Sequence, residues 1–448
     1  MKVKNSFPSI LILIFCLFIF SNITAQKWVN PNFETHRLDY RDLGYEEATE
    51  IAGDNAPISA LLSHSNGKVY GATSGYQSYL FVYDYLTNKV YPLGQIPGAK
   101  GVHHCLAEGK DGLIYIGTGL NELTLINLSS EMPHGRRAIE IQLWNDIKNK
   151  YKDFEGGHIF VYDPKEGDNE VYLPESIAKV KDMGIAVEKN SIYTMAINNE
   201  KTKIYGISYP DAVFFEYDII ENKFKNHGQW LQNKSYSGPE RSWRSVPRSL
   251  ICMPDGRVYS SADHGLMFYF DPSDEKFHET SIRIPGEYWQ QQNYDGYPVI
   301  EQLIPNEYGK EYEIFGSTND GFIFKVDLES KKMKVMGKPR IERRVRAMTL
   351  GKDQRLYMIC GEKENICQMI SYDLSEKDEG FIDYGILGVD RSPYYQRMGH
   401  QFDAMCTAKD GTIFIGESDY RAKLFFYVPG GSVVEGRLNP TNPRGRYY

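Results

Sequence analysis

Gly67-Lys-Val-Tyr-Gly71 followed by Leu80-Phe-Val-Tyr-Asp84 decides the fold, because the same phrase returns along the whole chain. A strand of alternating apolar residues meets a short turn, a second strand follows, and a third closes on aromatic-x-Tyr/Val-Asp. The next copies are Asp111-Gly-Leu-Ile-Tyr-Ile-Gly117 with Ile159-Phe-Val-Tyr-Asp163, and Lys203-Ile-Tyr-Gly206 with Phe214-Phe-Glu-Tyr-Asp218. Asp255-Gly-Arg-Val-Tyr259 pairs with Met267-Phe-Tyr-Phe-Asp271, Tyr312-Glu-Ile-Phe-Gly316 with Ile323-Phe-Lys-Val-Asp327, and Arg355-Leu-Tyr357 with Ile370-Ser-Tyr-Asp373. The last copy is Asp410-Gly-Thr-Ile-Phe-Ile-Gly416 with Leu424-Phe-Phe-Tyr427. A more polar fourth strand follows most of them, as in Lys89-Val-Tyr-Pro-Leu-Gly94. Four short antiparallel strands repeated seven times predict an all-β, seven-bladed propeller.

The ends of the repeat predict how the ring closes. The seventh copy runs into Pro429-Gly-Gly431 without a fourth strand, whereas His36-Arg-Leu-Asp-Tyr-Arg-Asp-Leu-Gly44 reads as a fourth strand with nothing before it. Pairing these two completes the last blade and removes the free sheet edges. One insertion interrupts the period at about residues 124–156, where Arg136-Arg-Ala-Ile-Glu-Ile-Gln-Leu-Trp-Asn-Asp-Ile-Lys148 has helical apolar spacing. Insertions in repeat folds gather on the functional face.

Composition agrees with this architecture. The 448 residues include 33 Tyr and 40 Gly, are 41% hydrophobic and 25% charged, and so fit a sheet-rich globular chain rather than a disordered or coiled-coil one. Lys2 and Lys4, the apolar run Ile10 to Phe20 and the small residues up to Ala25 form an export signal, too short for a membrane span. Cleavage after Ala25 leaves a single domain over 26–448, placed in the periplasm or secreted. The net charge of −8, more negative once Lys2 and Lys4 are gone, disfavours nucleic acid as a partner. Five cysteines then remain, an odd number that does not make a disulfide framework.

Counting back from each first turn gives the residue that opens each inner strand at the central channel: Ser59, His104, Tyr193, Arg248, Glu301, Arg346 and Asp403. Loops between second and third strands reach the same mouth with Tyr76, Asn121, Tyr209, Asp263, His264, Asp320, Glu362, Glu417, Asp419 and Arg421. Arg241, Arg244 and the segment His400 to Asp403 precede inner strands there. The bland reading is a solvated polar lining, and for Tyr76 a loop aromatic without chemistry. Against it, His104, Tyr193 and Arg248 lie on three consecutive blades.

That trio suits β-elimination from a uronic acid. A base must take the weakly acidic proton at C5 while a cation neutralises the carboxylate. Arg248 supplies a fixed charged fork, a tyrosine beside a cation ionises more easily, and a histidine takes either proton role. Arg241, Arg244, Glu301, Arg346 and Asp403 are the expected substrate-binding groups. Glu301 with Asp403 keeps glycoside hydrolysis open, since that reaction needs two spaced carboxylates. A glycan-binding propeller without catalysis is the alternative from another class. His264, Cys360, His400 and Cys406 make a zinc-type donor set for a structural ion, although no pair has a local motif spacing.

Met183-Gly-Ile185 with Ile192-Tyr-Thr-Met-Ala-Ile197, Lys203-Ile-Tyr-Gly-Ile-Ser-Tyr-Pro210 and Gly411-Thr-Ile-Phe-Ile-Gly-Glu-Ser-Asp419 resembles the exported seven-bladed propeller lyases that digest ulvan, and the related ulvan oligosaccharide dehydratase. The resemblance implies a His and a Tyr acting on the uronate, an Arg on its carboxylate, and a structural zinc. By position His104 and Tyr193 match the His and Tyr. The expected second His and Arg are missing: Gly119-Leu-Asn-Glu122 and Tyr209 stand in their places, with Arg248 as the substitute cation. These departures, with the helical insertion, point to oligosaccharide ends and to a dehydratase expelling water, with chain cleavage as the alternative. The expected ligand is an acidic sulfated oligosaccharide or polysaccharide, bound by a monomer.

Overall fold

The computed structural model describes residues 33–37, 51, 53–84, 89–122, 137–169, 175–231, 243–262, 265–286, 298–339, 344–361, 367–375, 380–392, 395–398, 401–418 and 422–429. Seven four-stranded antiparallel sheets form the blades of a propeller; six run in chain order from the inner to the outer strand, and the seventh takes its outer strand from the N-terminal segment. Their inner strands are Ile58–Ser63, Leu106–Glu108, Ser191–Ile197, Ile251–Cys252, Ile300–Pro305, Val345–Leu350 and Phe402–Thr407, numbered here blades 1 to 7.

The repeated phrase has a physical cause at each end. The glycine of the second strand lets a third-strand ring lie flat on the backbone. A Cβ at Gly71 would sit 2.1 Å from Phe81 Cζ, and one at Gly206 2.3 Å from Phe215 Cζ. The closing aspartate binds the turn that follows: Asp218 accepts from the Ile220 and Glu221 amides at 2.9 Å, and Asp271 from Ser273 N at 2.9 Å. Between blades the aromatic residues interlock, as where Phe214 meets Phe270 at 4.9 Å between ring centroids. Outer strands such as Lys223–Gln229 face solvent, which explains their polar sequence.

The ring closes as expected, with a shift. The described strand that completes blade 7 is Phe33–Arg37, which begins three residues before the expected His36 and pairs from Phe33 with Tyr427 to Arg37 with Lys423; residues 38–44 of the expected segment lie outside the described residues. The register follows the partner strand Lys423–Tyr427, whose bounds the N-terminal sequence does not contain. The insertion carries helix α1, Arg137–Tyr151. An additional hairpin, Gly388–Ser392 with Tyr395–Met398, stands between blades 6 and 7 and was not expected. Among the described residues no helix is long and apolar enough to cross a membrane.

Candidate functional site

A β-bulge marks where five of the seven blades present their inner-strand residue. The inner-strand register slips between Ile58 and Ala60, Ile192 and Thr194, Ile300 and Gln302, Val345 and Ala347, and Phe402 and Ala404. The residues set off by these slips are Ser59, Tyr193, Glu301, Arg346 and Asp403. A bulge re-aims a side chain that would otherwise alternate into the blade. His104 and Arg248 come just before the short inner strands of blades 2 and 4. His104 sits at φ 51°, a conformation uncommon for a residue with a Cβ, and its amide reaches Ser59 O at 3.3 Å.

At the axis these residues form one buried ionic network. Arg248 donates from Nη2 to Asp403 Oδ1 at 2.8 Å and from Nη1 to Glu301 Oε2. Arg346 Nη1 donates to Asp403 at 3.3 Å, and Arg344 Nε lies 3.6 Å from Glu301 Oε1. Gln401 and Ser418 add donors to Asp403 Oδ2. Three guanidinium groups thus face two carboxylates and leave one net positive charge. Burial pushes the Asp403 and Glu301 carboxyls up, but the arginines outweigh it and hold both below their ordinary range.

His104 touches this network through Nε2, 3.1 Å from Arg248 Nη2. A guanidinium only donates, so the imidazole nitrogen accepts and the ring is neutral. Burial first, then Arg248, lowers its pKa to about 3. Tyr193 packs on Tyr209 at 5.0 Å between centroids. Here the sequence expectation is reversed: burial drives the Tyr193 phenol upward, and the opposing pull of Arg248 does not win. Tyr209 is likewise pushed well up by burial, Glu122 and Tyr193. Both tyrosines hold their protons.

Sequence reasoning placed Asn121 at the mouth and missed its neighbour. Glu122 is fully buried, and its Oε1 receives Lys150 Nζ at 3.0 Å and the Tyr151 hydroxyl, both from the last turn of helix α1. Tyr151 also meets Ser191 Oγ at 2.8 Å, and the Glu122 amide donates to His103 Nε2 at 3.1 Å. Glu122 Oε2 has no hydrogen-bond partner among the described residues. Burial raises this carboxyl to about 7 against the pull of Lys150 and Tyr151. The only sequence signal was a glutamate in the loop where another residue type was expected.

Other expected residues do not join this network. Ser59 is bound to Ser74 Oγ and Val102 O, both at 2.6 Å, and Glu417 is tied to Lys423, 3.5 Å away. Tyr76 is exposed, as a loop aromatic would be. Arg241, Asp263, His264, Glu362, His400, Asp419 and Arg421 lie outside the described residues, as does the side chain of Arg244. Of the zinc-type set, Cys360 packs in the apolar cluster of Phe315 and Ile323, while Cys406 packs against that of Phe81 and Phe414. The two thiols thus belong to different apolar clusters, and both histidines of the set lie outside the described residues. No group of three or more potential ligands occurs among the described residues.

No protein-family model and no curated protein sequence matches the chain. Solved structures do. The β-propeller domain of Cps50 (Swd1) from Myceliophteria thermophila is similar with a TM-score of 0.51 and 9% identity, over 83% of this chain and 96% of that one. The extracellular domain of BT4673 from B. thetaiotaomicron is similar with a TM-score of 0.51 and 13% identity over 87% of this chain, which spans 39% of that chain. At these identities the likeness is one of fold, and the chain is a seven-bladed β-propeller.

Proposed function

We propose that the chain is an exported carbon–oxygen lyase that performs β-elimination at a uronic acid of sulfated oligosaccharides, in ulvan breakdown, giving a 4,5-unsaturated uronate. The observation that carries this reading is the meeting of His104, Tyr193 and Arg248 at one cationic spot on the axis, with Arg248 within 3.1 Å of the imidazole. A buried network with one net positive charge favours an anion, and a carboxylate held there has the charge neutralisation that C5 deprotonation requires.

The proton roles follow from the site's chemistry. Tyr193 and Tyr209 keep their protons and suit the acid that protonates the departing C4 oxygen. His104, neutral and weakly basic, steadies the carboxylate rather than taking the proton. Glu122, whose Oε2 has no partner among the described residues and whose carboxyl burial raises to about 7, is the candidate proton acceptor. Helix α1 stands against Asn121 and Glu122 through Lys150, which favours a chain end over a long polymer. At an end whose C4 carries a free hydroxyl, the elimination expels water, so the dehydratase is preferred to the chain-cleaving lyase.

One observation favours a second reading, a glycan-binding propeller without catalysis. Arg248 is already engaged by Glu301 and Asp403, as a purely structural plug would be. Incubation with ulvan oligosaccharides separates the readings. The dehydratase gives ultraviolet absorbance and a product lighter by one water; absorbance with chain shortening identifies the lyase, and binding with no new product the non-catalytic propeller.

A further inference from the structure

Outside the axis, the same face carries a cleft of about 350 Å³ between blades 1 and 2. Its walls include Pro97, Phe154, Glu155, His158, Phe160 and Asp182. His158 lines it, held by neighbours on several sides. The ring stacks on Phe160 with 17° between planes, Nδ1 lies 3.0 Å from Asp182, and Nε2 lies 3.3 Å from Glu155. Asp182 is in turn held by the Gly184 amide at 2.8 Å. Thr118 Oγ1 binds the His158 backbone at 3.0 Å on both sides. The imidazole is thus set by its neighbours, while the two carboxylates, half and three-quarters exposed, keep acceptor lone pairs toward the opening.

The chemistry that such a cleft recognises is that of an uncharged polyol. Carboxylate oxygens accept from hydroxyl groups, and the Phe154 and Pro97 wall offers apolar surface to the C–H face of a ring. Two carboxylates around one imidazole repel a sulfate or a second carboxylate. The cleft also lies near the loop that carries Glu122. Thr118 and Gly119 line it, and three residues after Gly119 comes Glu122, within about 11 Å of extended chain. The polarity therefore alternates along the face, positive at the axis and negative in the cleft.

We propose that this cleft is a subsite for an uncharged pyranose ring. The preference for an uncharged ring does not depend on the elimination reading. Its corollary is that sulfate is excluded from the sugar lying over His158.

The test follows the His158 ring signals of the full chain by long-range ¹H–¹⁵N NMR, assigned with His158→Gln. Methyl α-L-rhamnopyranoside and its 3-O-sulfate serve as probes. Saturable shifts with the neutral sugar, at least tenfold weaker for the sulfated one, are expected. Asp182→Asn with Glu155→Gln should narrow that ratio below threefold while the melting temperature is kept. No shift with the neutral probe, or equal or tighter binding of the sulfated one, overturns the proposal. Absence of any unsaturated product from uronate oligosaccharides overturns the elimination reading alone, since the NMR titration does not depend on turnover.

Discussion

Arg248 donates to Asp403 at 2.8 Å, joining blades 4 and 7 across 155 positions of sequence in a side-chain pair shut away from solvent. Replacing Arg248 by Ala leaves Glu301 and Asp403 buried beside each other with less opposing charge. The expected loss is about 3–5 kcal/mol of stability, the usual cost of breaking a buried pair from one side. Chemical denaturation checks it, and Arg248→Lys should recover only part, because a point charge does not replace a fork serving Glu301, Asp403 and His104.

Glu122 makes the chain's stability depend on pH in a defined direction. Its folded pKa is raised to about 7, above the ordinary carboxyl value, so the folded state binds more protons than the unfolded one in between. The sign is then fixed: its contribution is present at low pH and is lost as pH rises toward 7, by at most ~1.4 kcal/mol per pH unit. Glu122→Gln should flatten this part of the profile. Denaturation at pH 5, 6 and 7 for both proteins measures the difference.

The same residue should appear in turnover. With Glu122 taking the proton, the rate on a uronate oligosaccharide rises with pH through about 7, and Glu122→Gln removes that limb. A Glu122→Gln protein whose pH profile overlays the parent would exclude this role.

Tyr193→Phe should lower turnover by about 10²–10⁴-fold, the range of a lost proton-transfer group, and His104→Ala should lower it by removing the group that steadies the carboxylate. Tyr193→Phe keeps the ring contact with Tyr209 and should melt near the parent temperature. Unchanged turnover in both proteins would leave the axis as a structural plug.

Gly206→Ala tests the origin of the repeat. A methyl there would lie 2.3 Å from Phe215 Cζ, so the ring must move, with an expected loss of about 1–3 kcal/mol. Gly98→Ala is a useful contrast in space, since nothing lies within 4 Å of its added carbon, and its cost should come only from the positive φ of 66°.

The sequence carried the fold because the blade phrase is local. Gly206 under Phe215 and Asp218 on its turn are contacts within a few tens of residues, and they recur often enough to be aligned. The axis residues were legible for a related reason: each stands at the opening of an inner strand of the repeat, five of them at a bulge, as Tyr193 does between Ile192 and Thr194. What they bind was not legible. Arg248 meets Glu301, His104 and Asp403 only after four blades have been set in a circle. Glu122 was hidden for a different reason, since its burial is created by Lys150 and Tyr151 from an insertion outside the repeat. The displaced closing strand and the unforeseen hairpin at Gly388–Ser392 show the same limit.

Pairing Phe33 with Tyr427 also sets an order of events. Six blades can zip as soon as their own strands are made, because every partner lies close by in the chain. The seventh has to wait until its third strand exists and then capture a segment synthesised almost four hundred residues earlier. Until that capture, Lys423–Tyr427 presents an open edge able to recruit a strand from another molecule. Dilution or slow synthesis should therefore favour correct ring closure, and crowded refolding should yield molecules joined through blade 7.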